Sequence, residues 1–187
     1  MLSQQPEADA LLDRDPLALV IGMVLDQQVP LEKAFSSPWV LAERLGHVPD
    51  AAEIAGMPED DLVAIFSKPP ALHRFPGSMA RRVQAMCRAV ADQYRNDVSN
   101  VWSTAADGRE LLRRIAALPG FGTQKAQIFV ALLGKQYGVT PPGWREAAGE
   151  FGPDGTYKSV ADIRDATSLS KVRDYKKQMK AAAKAEA

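Results

Sequence analysis

Leu118-Pro119-Gly120-Phe121-Gly122-Thr123-Gln124-Lys125-Ala126 stands between two helical patterns, and the rest of the chain is read outward from it. Upstream, Glu110 to Ala117 puts Leu111, Leu112 and Ile115 on one face at helical spacing. Downstream, Ala126, Ile128, Phe129, Ala131, Leu132 and Leu133 continue an apolar helix towards Tyr137. The stretch predicts helix, hairpin, helix. Gly120 and Gly122 open backbone angles closed to other residues and let main-chain N–H groups approach a ligand. Those groups start the second helix, so its unpaired first-turn donors and positive dipole end face the same spot, and Thr123 is placed to cap it. An anion suits such a nest, although the Lys-Ser/Thr ending of a nucleotide-binding P-loop is missing. The competing reading is an ordinary turn between packed helices.

A second informative segment lies near the start. Asp15-Pro16 reads as an N-cap followed by proline at the first helical position. The helix from Pro16 to Leu25 is nearly all apolar and is predicted to be buried, with Gly22 allowing another helix to pack closely. It delivers Asp26-Gln27-Gln28-Val29-Pro30 to a surface, because Pro30 disfavours helix at Val29.

The hairpin resembles that of the helix-hairpin-helix DNA glycosylase superfamily, which includes endonuclease III, the adenine glycosylase and the 3-methyladenine glycosylases. Ala18 to Val29 is similar to that superfamily's early helix, which ends in a Gln-containing loop facing DNA. Two segments in the right order are more specific than either alone. Together they resemble a compact actinobacterial branch of the superfamily, over roughly residues 14 to 145.

The resemblance implies a base-excision repair protein that binds double-stranded DNA as a monomer, in the cytoplasm and on the nucleoid. Gly120, Phe121, Gly122, Thr123, Gln124 and Lys125 would form the DNA-binding hairpin, with room there for a monovalent cation but no obligatory cofactor and no metal site. Gln28 takes the place of the inserting glutamine, with Gln27 beside it. Glutamine donates and accepts at once, which suits a side chain filling the gap left by an extruded base; the alternative is a polar pair ending a helix.

Two departures from the resembled pattern bear on mechanism. Those glycosylases carry an aspartate a fixed distance after the hairpin, supporting cleavage of the N-glycosidic bond through an oxocarbenium-like state. Counting from Leu118, that position is Pro141 or Pro142, and neither can do this chemistry. Bifunctional members also carry a hairpin-helix lysine that forms a Schiff base. Gln124 stands in its place, and Lys125 is one residue on, about 100° around the helix, where it is expected to face phosphate. No lyase step is expected. A catalytic carboxylate would have to come from elsewhere: Asp26 and Glu146 are the first candidates, with Glu150 and Asp154 beyond. Trp144 either stacks on an extruded base or serves as core or lid.

Composition bounds the rest. With 187 residues and 46% hydrophobic content the chain can bury one sizeable core or two small helical lobes sharing a cleft. No apolar run reaches the roughly eighteen residues of a membrane span. Cys87 is the sole cysteine, so neither an intrachain disulfide nor a four-cysteine iron–sulfur cluster can form. The net charge of zero hides an asymmetry. Met1 to Phe66 carries 3 Lys/Arg against 12 Asp/Glu, whereas Ser67 to Arg145 carries 12 against 4. A DNA-facing surface therefore belongs to the middle third.

Along the remaining chain, Met1 to Arg14 is expected to fray or pack loosely. Pro30 to Leu45 forms an amphipathic helix with a break around Ser36-Ser37-Pro38. Two short acidic helices follow, and the next long helix starts at Gly77-Ser78 with Ser78 as its cap. His73 and Arg74 before it form a satisfied surface pair or reach substrate. Asp97 to Thr104 is a connector, and a basic helix from about Ser168 either touches the DNA backbone or frays in solvent. No stretch alternates convincingly, which predicts an all-α, two-lobed fold with the hairpin at the cleft mouth. The expected units are a helical lobe at 15–105, the helix-hairpin-helix at 106–145 and a C-terminal extension at 146–187.

Overall fold

The computed structural model describes residues 1–186, and among these the secondary structure is helical throughout, with eleven α-helices and no strand. The early apolar helix, α2 (Pro16–Leu25), lies at the centre. Asp15 caps it by accepting from the Leu17 N–H at 2.9 Å, and every residue from Leu17 to Leu25 is buried. A helix apolar on all sides must be covered on all sides. α1 (Pro6–Arg14) and α3 (Leu31–Leu45) cover two of them, and α3 comes so close that a Cβ on Gly22 would lie 2.6 Å from the Phe35 ring.

Two expectations fail in this region. The first segment does not fray: α1 buries Ala8, Leu11 and Leu12, an i, i+3, i+4 stripe concealed among polar neighbours. Each leucine contributes about 2 kcal/mol on burial, enough to dock the helix. Nor does α3 break at Pro38. The hydroxyls of Ser36 and Ser37 donate to the Lys33 carbonyl of the preceding turn, and Ser37 also reaches the Leu72 carbonyl at 2.8 Å. Pro38 lacks the N–H that the Ala34 carbonyl would otherwise accept, and the serine bonds tie the helix to its preceding turn and to the Leu72 segment beside that gap.

α4 (Ala51–Gly56) and α5 (Glu59–Ser67) pack on α6 (Pro76–Gln93), where buried Gln84 donates to the carbonyls of Ile54 and Met57. α6 starts at Pro76, not at Gly77-Ser78, because proline at the first position is already pre-set for helix, and Ser78 caps nothing. A four-residue helix, α7 (Asn100–Ser103), interrupts the expected connector. α8 (Gly108–Ala116) and α9 (Thr123–Gln136) then form the predicted antiparallel pair around the hairpin.

After α9 the chain turns through Pro141-Pro142-Gly143 into α10 (Trp144–Ala147). The Pro142 carbonyl accepts from the Gly108 N–H at 2.8 Å, which fixes this turn to the start of α8. Two 3₁₀ turns, Gly149–Phe151 and Val160–Asp162, lead to α11 (Ala166–Ala185). Residues 149–172 pack onto α9 and the core. Lys135 and Asp162 form a buried ion pair at 2.6 Å, with Asp162 also accepting from Thr156 and the Lys158 N–H. Ile163, Leu169 and Val172 join the same hydrophobic cluster as Leu2 and Leu11, so one core takes in residues from Leu2 to Val172.

Candidate nucleic-acid interface and cleft

The hairpin forms as its residue types dictate. Gly120 has φ +95°, the left-handed region that glycine enters without penalty, and the Phe121 N–H closes the turn on the Leu118 carbonyl at 3.1 Å. Gly122 is different: its φ of −89° is open to any residue, and a Cβ there would meet nothing within 4 Å. It serves as the N-cap of α9 itself, leaving Thr123 as the first helical residue with no capping bond. The first intrahelical bond is the 2.9 Å one from Ala126 N–H to the Gly122 carbonyl. The N–H groups of Thr123, Gln124 and Lys125 therefore have no helical partner, and Gly122, Thr123 and Gln124 are exposed. The positive end of α9 thus faces solvent across an open glycine, the arrangement that receives an anion.

The hairpin meets the end of α2 at Val24. A Cβ on Gly120 would lie 3.1 Å from the Val24 methyls and 3.4 Å from Arg82 Cδ. Lys125, expected to face phosphate, instead turns inward and donates to the Val24 carbonyl at 3.3 Å. Its half-buried ammonium is held below the usual lysine range by burial, opposed by the charge of Asp26 and reinforced by Arg82.

Beyond α2 the two glutamines have separate fates. Gln27 is tethered: its amide donates to the Val24 carbonyl at 3.0 Å and its oxygen accepts from Arg82 at 3.2 Å. Its main-chain carbonyl accepts from His73 at 2.9 Å. Gln28 is exposed, in the left-handed region at φ +56°. A non-glycine residue there is strained and is held by its surroundings. The chain thus anchors one glutamine and presents the other.

Asp26 and both glutamines line a cleft of about 540 Å³, a size suited to a small ligand. Its opposite wall is α11, through Leu169, Val172, Arg173 and Lys176. Arg173 pairs with Glu32 and ties α11 to α3 across the loop. Burial pushes the Asp26 carboxyl above its ordinary value, while Lys176 and Lys125 pull it back.

Other predicted residues lie elsewhere. Phe121 is buried and packs against Phe129 at a 40° tilt with ring centroids 5.7 Å apart, so its side chain is core and only its backbone belongs to the hairpin. Trp144 is 8% exposed and packs over Gly134, where a Cβ would overlap the ring; it takes the core role rather than that of a stacking platform. Glu146 is exposed on α10 and is not among the residues lining the cleft.

Three residues at the loop were not singled out for it from the sequence. His73 is 1% exposed, so it is no surface residue. Arg82 joins hairpin to loop. Phe75 is an exposed aromatic, 43% accessible, with the Arg74 guanidinium 5.3 Å from its ring centre. The signal for Phe75 was its place before Pro76, which holds it outside the helix at the tip of a turn.

A glycine hairpin aiming helix N–H groups outward, beside a loop presenting one glutamine, gives this helical protein an exposed site suited to an anion. The chain belongs to the HhH-GPD superfamily of base excision DNA repair proteins, whose family model matches residues 21–187. Membership makes it a base excision DNA repair protein and DNA its partner. No curated protein and no solved structure matches the chain. Among the described residues no helix is long and apolar enough to cross a membrane.

Proposed function

We propose that this protein is a monofunctional DNA N-glycosylase that excises a damaged base after extruding it from the duplex. The observation that carries the reading is Asp26: a half-buried carboxylate in the same cleft as Gln28, on a loop beside the hairpin. The free amides of Thr123, Gln124 and Lys125 hold a backbone phosphate across Gly122, aided by Arg82. Gln28 enters the duplex from one side and Phe75 from beside it, filling the space of the extruded base. Asp26 then stabilises the developing oxocarbenium charge or directs water to it, and a carboxyl raised by burial is the better base. Gln124 at the lysine position supports hydrolysis without a lyase step. The same proposal includes a monomer acting on nucleoid DNA in the cytoplasm with no obligatory cofactor.

The test is single-turnover excision on duplexes carrying deaminated, oxidised, alkylated or mismatched bases, with alkali to reveal abasic sites. Release of one base class by the wild type, lost in Asp26→Asn, supports the proposal. One observation favours a second reading, a non-catalytic binder of damaged DNA: the turn where the superfamily's aspartate is expected is proline, and its Pro142 carbonyl is committed to Gly108. Tight, salt-sensitive binding with no release from any duplex would select that reading.

A further inference from the structure

His73 ends the turn before α6, with both ring nitrogens engaged. Nε2 lies 2.9 Å from the Gln27 carbonyl oxygen, and Nδ1 lies 3.0 Å from the Phe75 main-chain nitrogen. A carbonyl only accepts and an amide N–H only donates, so one tautomer satisfies both: Nε2 protonated, Nδ1 bare. The ring joins the backbones of two segments 46 residues apart in sequence. Each segment carries an exposed side chain, strained Gln28 on one and Phe75 on the other.

We infer that His73 is a positioning residue for base extrusion: its neutral imidazole locks the Gln28 loop and the Phe75 turn in one register, so that both side chains enter the duplex together. The inference rests on the proposed function. Independent loops would each pay the ordering entropy on meeting DNA; a bridged pair is ordered beforehand. The bridge also depends on proton count. An imidazolium has no acceptor for the Phe75 N–H, so two N–H groups would face each other. The charged groups acting on the ring are Lys125 from α9 and Lys33 from α3, both cationic. Asp26, one residue before Gln27, has Lys176 and Lys125 as its own charge partners. Burial, first, and then these lysines hold His73 below the ordinary histidine value, against the carbonyls of Gln27 and Leu25, which favour the charged ring. The unfolded chain thus takes up the proton first. Stability from this residue is complete above about pH 6.5 and declines below it, and the bridge opens as pH falls through the folded value.

Two substitutions separate the halves of the bridge. In His73→Asn the side-chain oxygen sits near the Nδ1 position and keeps the Phe75 bond but does not reach Gln27. In His73→Gln the amide nitrogen sits near Nε2 and keeps the Gln27 bond. Hydrogen exchange on the DNA-free protein is expected to rise about tenfold at Gln27 and Gln28 in His73→Asn and to stay near wild type there in His73→Gln.

The second readout is 2-aminopurine fluorescence in a duplex carrying a tetrahydrofuran abasic site next to the probe, at saturating protein. His73→Asn and His73→Gln, each keeping only one half of the bridge, are both expected to lose about tenfold of the fluorescence rise, far more than they lose in affinity for undamaged duplex. The wild-type rise should fade as pH falls through the folded His73 value, which lies below 6.5, whereas the small rise of His73→Gln, with no titrating ring, should not change with pH. Extrusion by His73→Asn at the wild-type level, unchanged exchange at Gln27 and Gln28, or identical pH curves for wild type and His73→Gln would each overturn the inference. A wild-type protein that leaves the probe dark while His73→Asn still loosens the loop would instead sink the extrusion reading itself and leave the bridge as architecture.

Discussion

The hairpin and the glutamine loop touch at Val24, yet they are built on different principles. The hairpin is local. Gly120 supplies its left-handed turn, Gly122 its open N-cap and α9 its field, all within five residues. The glutamine loop is assembled from afar: Gln27 is held by His73, by Arg82 of α6 and by its own α2. Lys125 of α9 and Lys176 of α11 set the charge around Asp26. A local motif tolerates change elsewhere, whereas a loop held from several elements registers change in any of them.

The sharpest test of that contrast is at Asp26. Asp26→Asn keeps the shape of the loop and removes its charge, and is expected to reduce single-turnover excision by about 100-fold or more while DNA affinity persists. Glu146→Gln, on exposed α10, should leave the rate unchanged; the reverse pattern would move the chemistry out of the glutamine loop. With the carboxylate as the active form, the wild-type rate should climb with pH through the Asp26 value, which burial has raised above 3.8. Stability runs the other way. The folded carboxyl holds its proton longer than the unfolded one, so this residue costs stability as pH rises above 3.8 towards the folded value.

The next largest effect separates the two glycines of the hairpin. Gly122→Asp brings a like charge to the phosphate nest but meets no atom and needs no unusual φ. It should weaken binding to every duplex by about tenfold with the melting temperature unchanged. Gly120→Ala meets Val24 at 3.1 Å in a left-handed backbone and should lower folding stability by about 1–2 kcal/mol, read in denaturant. Equal melting temperatures for the two variants would contradict the claim that only Gly120 is structurally required.

A smaller, selective effect is expected at the presented glutamine. Gln28→Ala should reduce 2-aminopurine extrusion about fivefold and affinity for undamaged duplex much less. Equal losses in both assays would make Gln28 an ordinary contact. Smallest of all is the latch of α11. Arg173→Ala removes a surface ion pair worth about 0–1 kcal/mol, so stability should barely move, and any change in excision would report the cleft wall rather than the fold.

Much of this molecule was legible along the chain. The Asp15-Pro16 cap, the buried α2 and the helix-hairpin-helix all follow from short-range rules, and each stands where expected. Gly22 as a point of close approach also reads correctly, with the Phe35 ring against it. The failures share one cause. α1 looked too polar to dock, Pro38 looked like a break and Ser78 looked like a cap, because the partners that decide each case come from elsewhere or from a competing local rule. Lys125 was expected to face phosphate from its angle around the helix, but its ammonium donates to the Val24 carbonyl, 101 residues away.

Sequence by itself therefore determined the helical class, the hairpin and the residue types at the hairpin and the glutamine loop, since periodicity, caps and glycine angles act within a few residues. Tertiary structure alone decided which glutamine is presented, that α11 walls the Asp26 cleft, and that His73 lies buried between two segments. Those outcomes depend on burial and on hydrogen bonds that close only once distant helices have packed.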